Sequence, residues 1–250
     1  MTPLSLAQLR QPIPSFGTWL GFGSPAIAEL AGDSGFDWLL LDLEHGCEGE
    51  AALPNQLRAL KGGAVPIVRV GAAYMDLIGR ALDWGALGIM VPHVNSAEEA
   101  AACVQALWYP PQGKRGVSRS CRAAGYGLRP PQGPDEVLKP FFMAQIETIE
   151  SVACAAEIAA VDGVDVLFIG PADLQFDLRA RPGLTGDDYE TCLRRVVAAA
   201  SSAGKASGIL LRDPADIGRH LKLGFTHVAI DSDVAIMRRG FQQALQAARG

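Results

Sequence analysis

Short apolar runs recur along the chain at a fairly even interval, with segments of a different period between them. The runs are β-branched or leucine-rich and nearly continuous, as expected of strands covered on both faces. They predict strands over residues 17–22, 38–43, 66–70, 88–92, 141–146, 166–169, 206–211 and 226–230. Helical spacing predicts helices over 24–34, 51–61, 74–84, 96–108, 148–161, 187–203, 214–223 and 234–248. Cap residues mark several starts: Ser24 before Pro25, Ser96 ahead of Glu98 and Glu99, and Asp213 before Pro214. Gly85, Gly204 and Gly224 follow several ends.

Eight strands alternating with eight helices over 250 residues is the count of an α/β (β/α)8 TIM barrel. No Pro/Gly/Ser-rich linker divides the chain, so residues 1–250 read as a single domain. The long irregular segment 109–140, rich in Gly, Pro and Arg, has the length of a functional or interface loop.

Composition removes several classes of function. A net charge of −5 without a basic stripe argues against nucleic acid. No apolar run reaches the ~18 residues of a membrane span, and the N-terminus lacks the pattern of a signal peptide. The five cysteines (Cys47, Cys103, Cys121, Cys154 and Cys192) are scattered, odd in number and free of any CxxC pair. They read as reduced thiols of a cytoplasmic protein.

The stretch WLLLDLEHG, residues 38–46, buries a strand and then releases Asp42, Glu44 and His45 together. In a (β/α)8 barrel the active site lies at the C-terminal ends of the strands, which is where these three fall. A competing signal lies upstream. Gly21-Phe22-Gly23-Ser24-Pro25-Ala26 follows a strand, opens a helix and matches the GxGxxA pattern of dinucleotide binding, with Asp42 downstream. Against an oxidoreductase, no tyrosine has a lysine four residues later, and evenly spaced units fit a closed barrel better than an open sheet.

The other strand ends add Arg69 in PIVRV, His93 after Pro92, Gln145 and Glu147 in FFMAQIET, Asp173 in FIGPADL, and Asp231. Gln145 and Glu147 are two apart and share a strand face. Glu147 and Asp173 are hard oxygen ligands suited to Mg²⁺ or Mn²⁺, or else solvated loop carboxylates. Arg69 either pairs with an internal carboxylate or clamps a substrate carboxylate bidentately. His45 is either a solvent-facing histidine or a tuned base. The five lysines (Lys61, Lys114, Lys139, Lys205 and Lys222) all avoid strand interiors and C-terminal strand ends. Carbonyl chemistry through a Schiff base is therefore excluded, and a metal-dependent route remains.

GTWLGFGSPAIAELAGDSGFDWLLLDLEHG, VPIVRV, LDWGALGIMVP, YPPQGKRGVS, QIET and GVDVLFIGPADL occur in the order seen in the HpcH/HpaI family of class II pyruvate aldolases. The chain resembles that family from about residue 16 to residue 239. The resemblance implies a metal-dependent, reversible aldol reaction that takes a 2-keto acid and an aldehyde. It also implies a homo-oligomer, usually a hexamer (a trimer of dimers), with swapped C-terminal helices. Carried onto this sequence, Glu147 and Asp173 would hold a divalent ion, Mg²⁺ or Mn²⁺ with Co²⁺ as a further possibility. Arg69 and Gln145 would bind the keto acid together with the Gly170, Pro171 and Ala172 turn. His45, supported by Asp42, would move protons. Asp83 matches a further acidic position that assists His45. Yet Asp83 ends a helix at the bottom of its own barrel, so it would reach a neighbouring subunit's site or be structural. Arg115, Arg119 and Arg122 carry the same two readings.

The chain departs from many relatives after GPADL, where it reads QFDLRARPGLTG, and at His93, where an apolar residue is common. VSRSCRA and KASGIL resemble the branch acting on sugar-acid-derived substrates such as 2-dehydro-3-deoxyglucarate. The same scaffold also hosts a citrate-forming condensation of acetyl-CoA with oxaloacetate in siderophore pathways, an alternative that shares the metal site. An NAD-binding oxidoreductase and a non-catalytic organic-acid binder are the remote alternatives.

Overall fold

The computed structural model describes residues 3–61, 63–133 and 136–249. A short helix α1 (Leu6–Leu9) precedes β1 (Ser15–Leu20), α2 (Pro25–Asp33), β2 (Trp38–Asp42) and α3 (Leu53–Ala59). Then come β3 (Val65–Arg69), α4 (Met75–Trp84), β4 (Gly88–Val91) and α5 (Ala97–Leu107). Beyond the 109–140 segment, β5 (Phe141–Ile146) is followed by α6 (Ile149–Ala153) and α7 (Ala155–Ala160). Next are β6 (Val166–Ile169), α8 (Pro171–Ala180) and α9 (Tyr189–Ser202). The chain finishes with β7 (Ala206–Leu211), α10 (Ile217–Leu223), β8 (His227–Ser232) and α11 (Asp233–Arg249). All eight strands are parallel and close into one barrel, β8 pairing with β1.

Two helices stand where the apolar period gives no helix. In α1, Ser5 and Gln8 form a reciprocal capping box, and Leu6 and Leu9 are buried. In α8, Pro171 sits at the first helical position, directly after β6, and only Leu174 is fully buried. So polar a helix carries no apolar stripe for a pattern to find. The helix expected over 148–161 is two, α6 and α7, meeting at Cys154. The first strand ends at Leu20 rather than residue 22, because the amides of Gly21 and Phe22 donate to the Asp233 carboxylate at 2.8 and 3.1 Å.

The barrel interior is plugged by aromatic rings. Trp19, Trp38 and Phe168 lie with centroids 5.4–6.4 Å apart, two of the three pairs edge-to-face. Below them α1 closes the N-terminal end of the strands. Its Leu9 carbonyl accepts a 2.9 Å hydrogen bond from His227 Nε2, and the His227 ring stacks on Phe141. A separate apolar layer, including Leu39, Val68, Ile89 and Phe142, lies between strands and helices. The last helix differs from the rest: only Asp233 and Ala235 of α11 are buried, while Ile236, Met237, Phe241 and Leu245 are exposed. Among the described residues no helix is long and apolar enough to cross a membrane.

Burial holds the His227 imidazole neutral, its pKa lowered from 6.5 to about 4 despite the Leu9 carbonyl that favours the charged form. Between those pH values the unfolded chain binds the extra proton and the folded chain does not. The His227 contribution is therefore intact above pH 6.5 and is lost as pH falls towards 4, by roughly 3 kcal/mol in all. Urea unfolding from pH 7 to pH 4 should show a steeper loss in the wild type than in His227→Gln. Identical pH slopes in the two proteins would rule this group out.

Candidate active site at the barrel mouth

Asp42 closes β2 and Arg69 closes β3, and the parallel register sets them side by side. Arg69 Nε and Nη2 donate to Asp42 Oδ1 and Oδ2 at 2.9 and 2.7 Å, a bidentate pair. Arg69 Nη1 lies 2.9 Å from Glu44 Oε2, and the guanidinium sits over the Trp19 ring. Burial works against the Arg69 charge, but the bond to Asp42 and the charges of Asp42 and Glu44 outweigh it and raise its pKa.

Asp42 Oδ1 also accepts from the backbone amides of Glu44 and His45 at 3.0 and 3.4 Å, which folds the turn after β2. The turn is so tight that a Cβ on Gly46 would lie 2.1 Å from the Asp42 carbonyl oxygen. His45 consequently projects to the mouth with its side chain 70% exposed. Asp42 holds the backbone of His45 and makes no bond to its ring. The carboxylate beside the imidazole is that of Glu44, 3.8 Å from Nε2, where the sequence suggests Asp42.

Across the barrel, Gln145 and Glu147 point to the same face, as their spacing predicts. Glu147 Oε2 accepts from Gln145 Nε2 at 2.5 Å, and Oε1 accepts from the His93 amide at 2.8 Å. The His93 ring comes within 3.2 Å of the same oxygen, and its backbone takes a left-handed φ of 52°. Sequence reasoning left His93 without a role; its place directly after β4 was the only signal. Burial pushes the Glu147 pKa up, partly countered by His93 and reinforced by Asp173 and Glu44.

Asp173 lies in the first turn of α8. Among the described residues neither Glu147 nor Asp173 forms an ion pair with a lysine or arginine. Gln145 Oε1 is buried without a hydrogen-bond partner. Two carboxylates and a spare amide oxygen form a hard donor set that fits Mg²⁺ or Mn²⁺. No group of three or more His, Cys, Asp or Glu residues is arranged for a metal among the described residues, so water and substrate would supply the remaining ligands.

Asp42, His45, Arg69, Gln145 and Asp173 wall one cavity of about 930 Å³. Gly170, Pro171 and Ala172 line it as well, and no lysine does. In the glycine-rich turn the amides of Gly21 and Phe22 donate to the Asp233 carboxylate. The closed barrel is not the open, doubly wound sheet in which that glycine pattern serves a dinucleotide.

Asp83 is not brought to His45 of its own chain. It lies near the C-terminal end of α4, at the bottom of the barrel, and pairs with Arg115 at 2.6 Å. Arg115 is buried and stacks over Tyr109, while Arg122 donates to the carbonyls of Trp84 and Leu57. Arg115 and Arg122 thus pin the long loop onto the helix ends of their own chain.

Gly170 packs against the acid pair: an added Cβ would lie 2.2 Å from Glu147 Oε2 and 2.8 Å from Gln145 Nε2. Gly170→Ala is expected to displace the Glu147 carboxylate and to destabilise the fold by about 1–3 kcal/mol. Thermal unfolding checks this, and an unchanged midpoint contradicts the close packing.

The HpcH/HpaI aldolase/citrate lyase family matches residues 15–239. A hydroxypyruvate/pyruvate aldolase of Paraburkholderia phytofirmans is 39% identical, over 97% of this chain and 96% of that protein. A 5-keto-4-deoxy-D-glucarate aldolase of Salmonella arizonae is also 39% identical, over 91% and 89%. The crystal structure of an HpcH/HpaI aldolase/citrate lyase family protein from Burkholderia cenocepacia superposes with a TM-score of 0.89 at 36% identity, covering 98% of each chain. The citrate synthase SbnG is a more distant neighbour, with a TM-score of 0.82 at 27% identity over 97% and 96%. Likeness to named aldolases over nearly the whole length makes this chain an aldolase, a carbon–carbon lyase. It belongs to the HpcH/HpaI aldolase/citrate lyase family.

Proposed function

We propose that the protein is a divalent-metal-dependent aldolase that reversibly cleaves a 4-hydroxy-2-oxo acid to pyruvate, or a similar 2-keto acid, and an aldehyde. The observation that carries this reading is the buried Glu147, which among the described residues has no lysine or arginine partner and shares its charge field with Asp173. A buried acid in that position calls for a cation. Glu147 and Asp173 would hold Mg²⁺ or Mn²⁺, which when bound supplies positive charge to the enolate released by cleavage.

The chain's own residues do the rest. Asp42 accepts from two of the five N–H donors of Arg69 and Glu44 pairs with its charge, which leaves donors for the substrate carboxylate. Gln145 lies beside the keto acid, and the Gly170–Ala172 turn walls it at the positive end of α8. His45, steadied by Glu44, takes the proton of the C4 hydroxyl as the C3–C4 bond breaks. The hydroxyl carbon becomes the aldehyde carbonyl, and the electron pair of the broken bond passes into the enolate. Protonation at C3 then gives the 2-keto acid, and the reverse sequence forms the bond.

Release of pyruvate from a panel of 4-hydroxy-2-oxo acids, with EDTA and with Mn²⁺ or Mg²⁺, tests the reading. Metal-dependent pyruvate is expected, and it should be abolished in Glu147→Gln, which changes little volume. Equal turnover after exhaustive chelation would remove the metal, and no pyruvate from any substrate would overturn the aldolase.

We propose further that the protein is a homo-oligomer in which α11 packs on another copy, in line with the hexamer the family resemblance implies. The exposed Ile236, Met237, Phe241 and Leu245 support it, as an apolar helix face of this kind is an interaction surface. Phe241→Glu should lower the mass measured by light scattering, and a monomeric wild type would overturn the assembly.

A further inference from the structure

The turn that presents His45 is pinned on both sides of the imidazole. Upstream, Asp42 Oδ1 holds the amides of Glu44 and His45. Downstream, the Cys47 amide donates to the Gly21 carbonyl at 2.7 Å. Among the described residues this is the one backbone hydrogen bond that joins residues 45–48 to another loop of the barrel. The two turns pack closely because both carry glycine. A Cβ on Gly46 would lie 3.3 Å from the Gly21 carbonyl oxygen, and one on Gly23 would lie 2.5 Å from Glu48 Cβ. Gly23 also has a left-handed φ of 71°. The glycines after β1 thus form the surface on which the His45 turn rests.

Gly21 is itself held by a third element. Asp233, buried at the start of α11, accepts from the Gly21 and Phe22 amides at 2.8 and 3.1 Å. Its Oδ1 also accepts from the Val234 amide at 2.7 Å. The cap of α11 is a different side chain, since Ser232 Oγ accepts from the Ala235 amide at 3.3 Å. The Asp233 carboxylate is therefore free to reach across to the turn after β1. Amide bonds to a carboxylate are of the stronger, charge-assisted kind.

On the aldolase reading above, we propose that Asp233 is a positioning residue for His45, acting through the glycine turn after β1. The carboxylate holds Gly21, the Gly21 carbonyl holds Cys47, and the two pins together set where the imidazole meets the substrate hydroxyl. Proton transfer demands hydrogen-bond reach, so a displacement of about 1 Å is enough to slow it. Asp233 bonds to neither Arg69 nor Glu147. Its loss therefore acts on kcat and leaves KM for the keto acid in place.

Asp233→Ala and Gly23→Ala break the relay from two sides, the second without altering α11. In each, kcat for the fastest substrate of the pyruvate-release panel should fall about 10- to 100-fold with KM unchanged. Hydrogen–deuterium exchange read by mass spectrometry should be faster in the peptide covering 43–48, while β5 and β6 keep their protection. Asp233→Asn retains one acceptor oxygen and should recover part of kcat. A role confined to starting α11 would speed exchange in that helix alone and leave both the 43–48 peptide and kcat as in the wild type, which overturns the inference. A fall in kcat without faster exchange at 43–48 also overturns it. Thermal melts record the fold, and should Asp233→Ala not fold, the same two measurements on Gly23→Ala decide. All these outcomes leave the aldolase intact; a wild type that releases no pyruvate overturns that reading and this inference with it.

Discussion

At the heads of β2 and β3 one guanidinium is taken out of water between two carboxylates, and the working end of the barrel is arranged around it. The Arg69 side chain is 9% exposed, above the Trp19 ring and between Asp42 and Glu44. Such a group adds little net stability, because desolvation consumes most of the Coulomb energy. Removing one partner is another matter and costs about 3–5 kcal/mol, since the remaining charge is stranded. The triad therefore acts as a geometric constraint. The same Asp42 oxygen that meets Arg69 holds the amides of Glu44 and His45, so one carboxylate fixes both the cation and the turn that presents the imidazole.

Opposite it stands a second arrangement with the reverse imbalance. Glu147 is buried, held by an amide side chain and a backbone N–H, with the His93 ring beside it and the acids Asp173 and Glu44 adding to its charge field, but with no lysine or arginine partner among the described residues. One wall is balanced by its own arginine; the other carries unspent negative charge. A substrate with a carboxylate beside a ketone complements both, provided a cation joins the second wall. Gly170 permits this closeness, because any larger residue would occupy the space of the Glu147 carboxylate.

The lower half of the barrel is closed by packing and pairing within the chain. The Trp19–Trp38–Phe168 plug separates the mouth from the base, where α1 and the neutral His227 seal the strand ends. Asp83 and Arg115 belong to this lower region, together with Tyr109 and Arg122. The long loop 109–140 is thereby tied to the helix ends of its own chain.

The sequence by itself determined the barrel and most of the strand ends. Strand and helix periods are local, and near-continuous apolar strands between amphipathic helices admit few architectures. It also placed Gln145 and Glu147 on one face and put Asp42, His45, Arg69 and Asp173 at the mouth, because those positions follow from period and strand end alone. Tertiary structure decided the partners. The β2–β3 register makes Asp42 the partner of Arg69, and the path of the turn then leaves Glu44 beside His45. The left-handed turn after β4 delivers the His93 amide to Glu147, and Arg115 comes from a distant loop to claim Asp83. Polar α8 carries no stripe to announce it and forms where Pro171 follows the end of β6. Periodicity is written in neighbouring residues, whereas pairing depends on registers and loop paths that only the closed barrel sets.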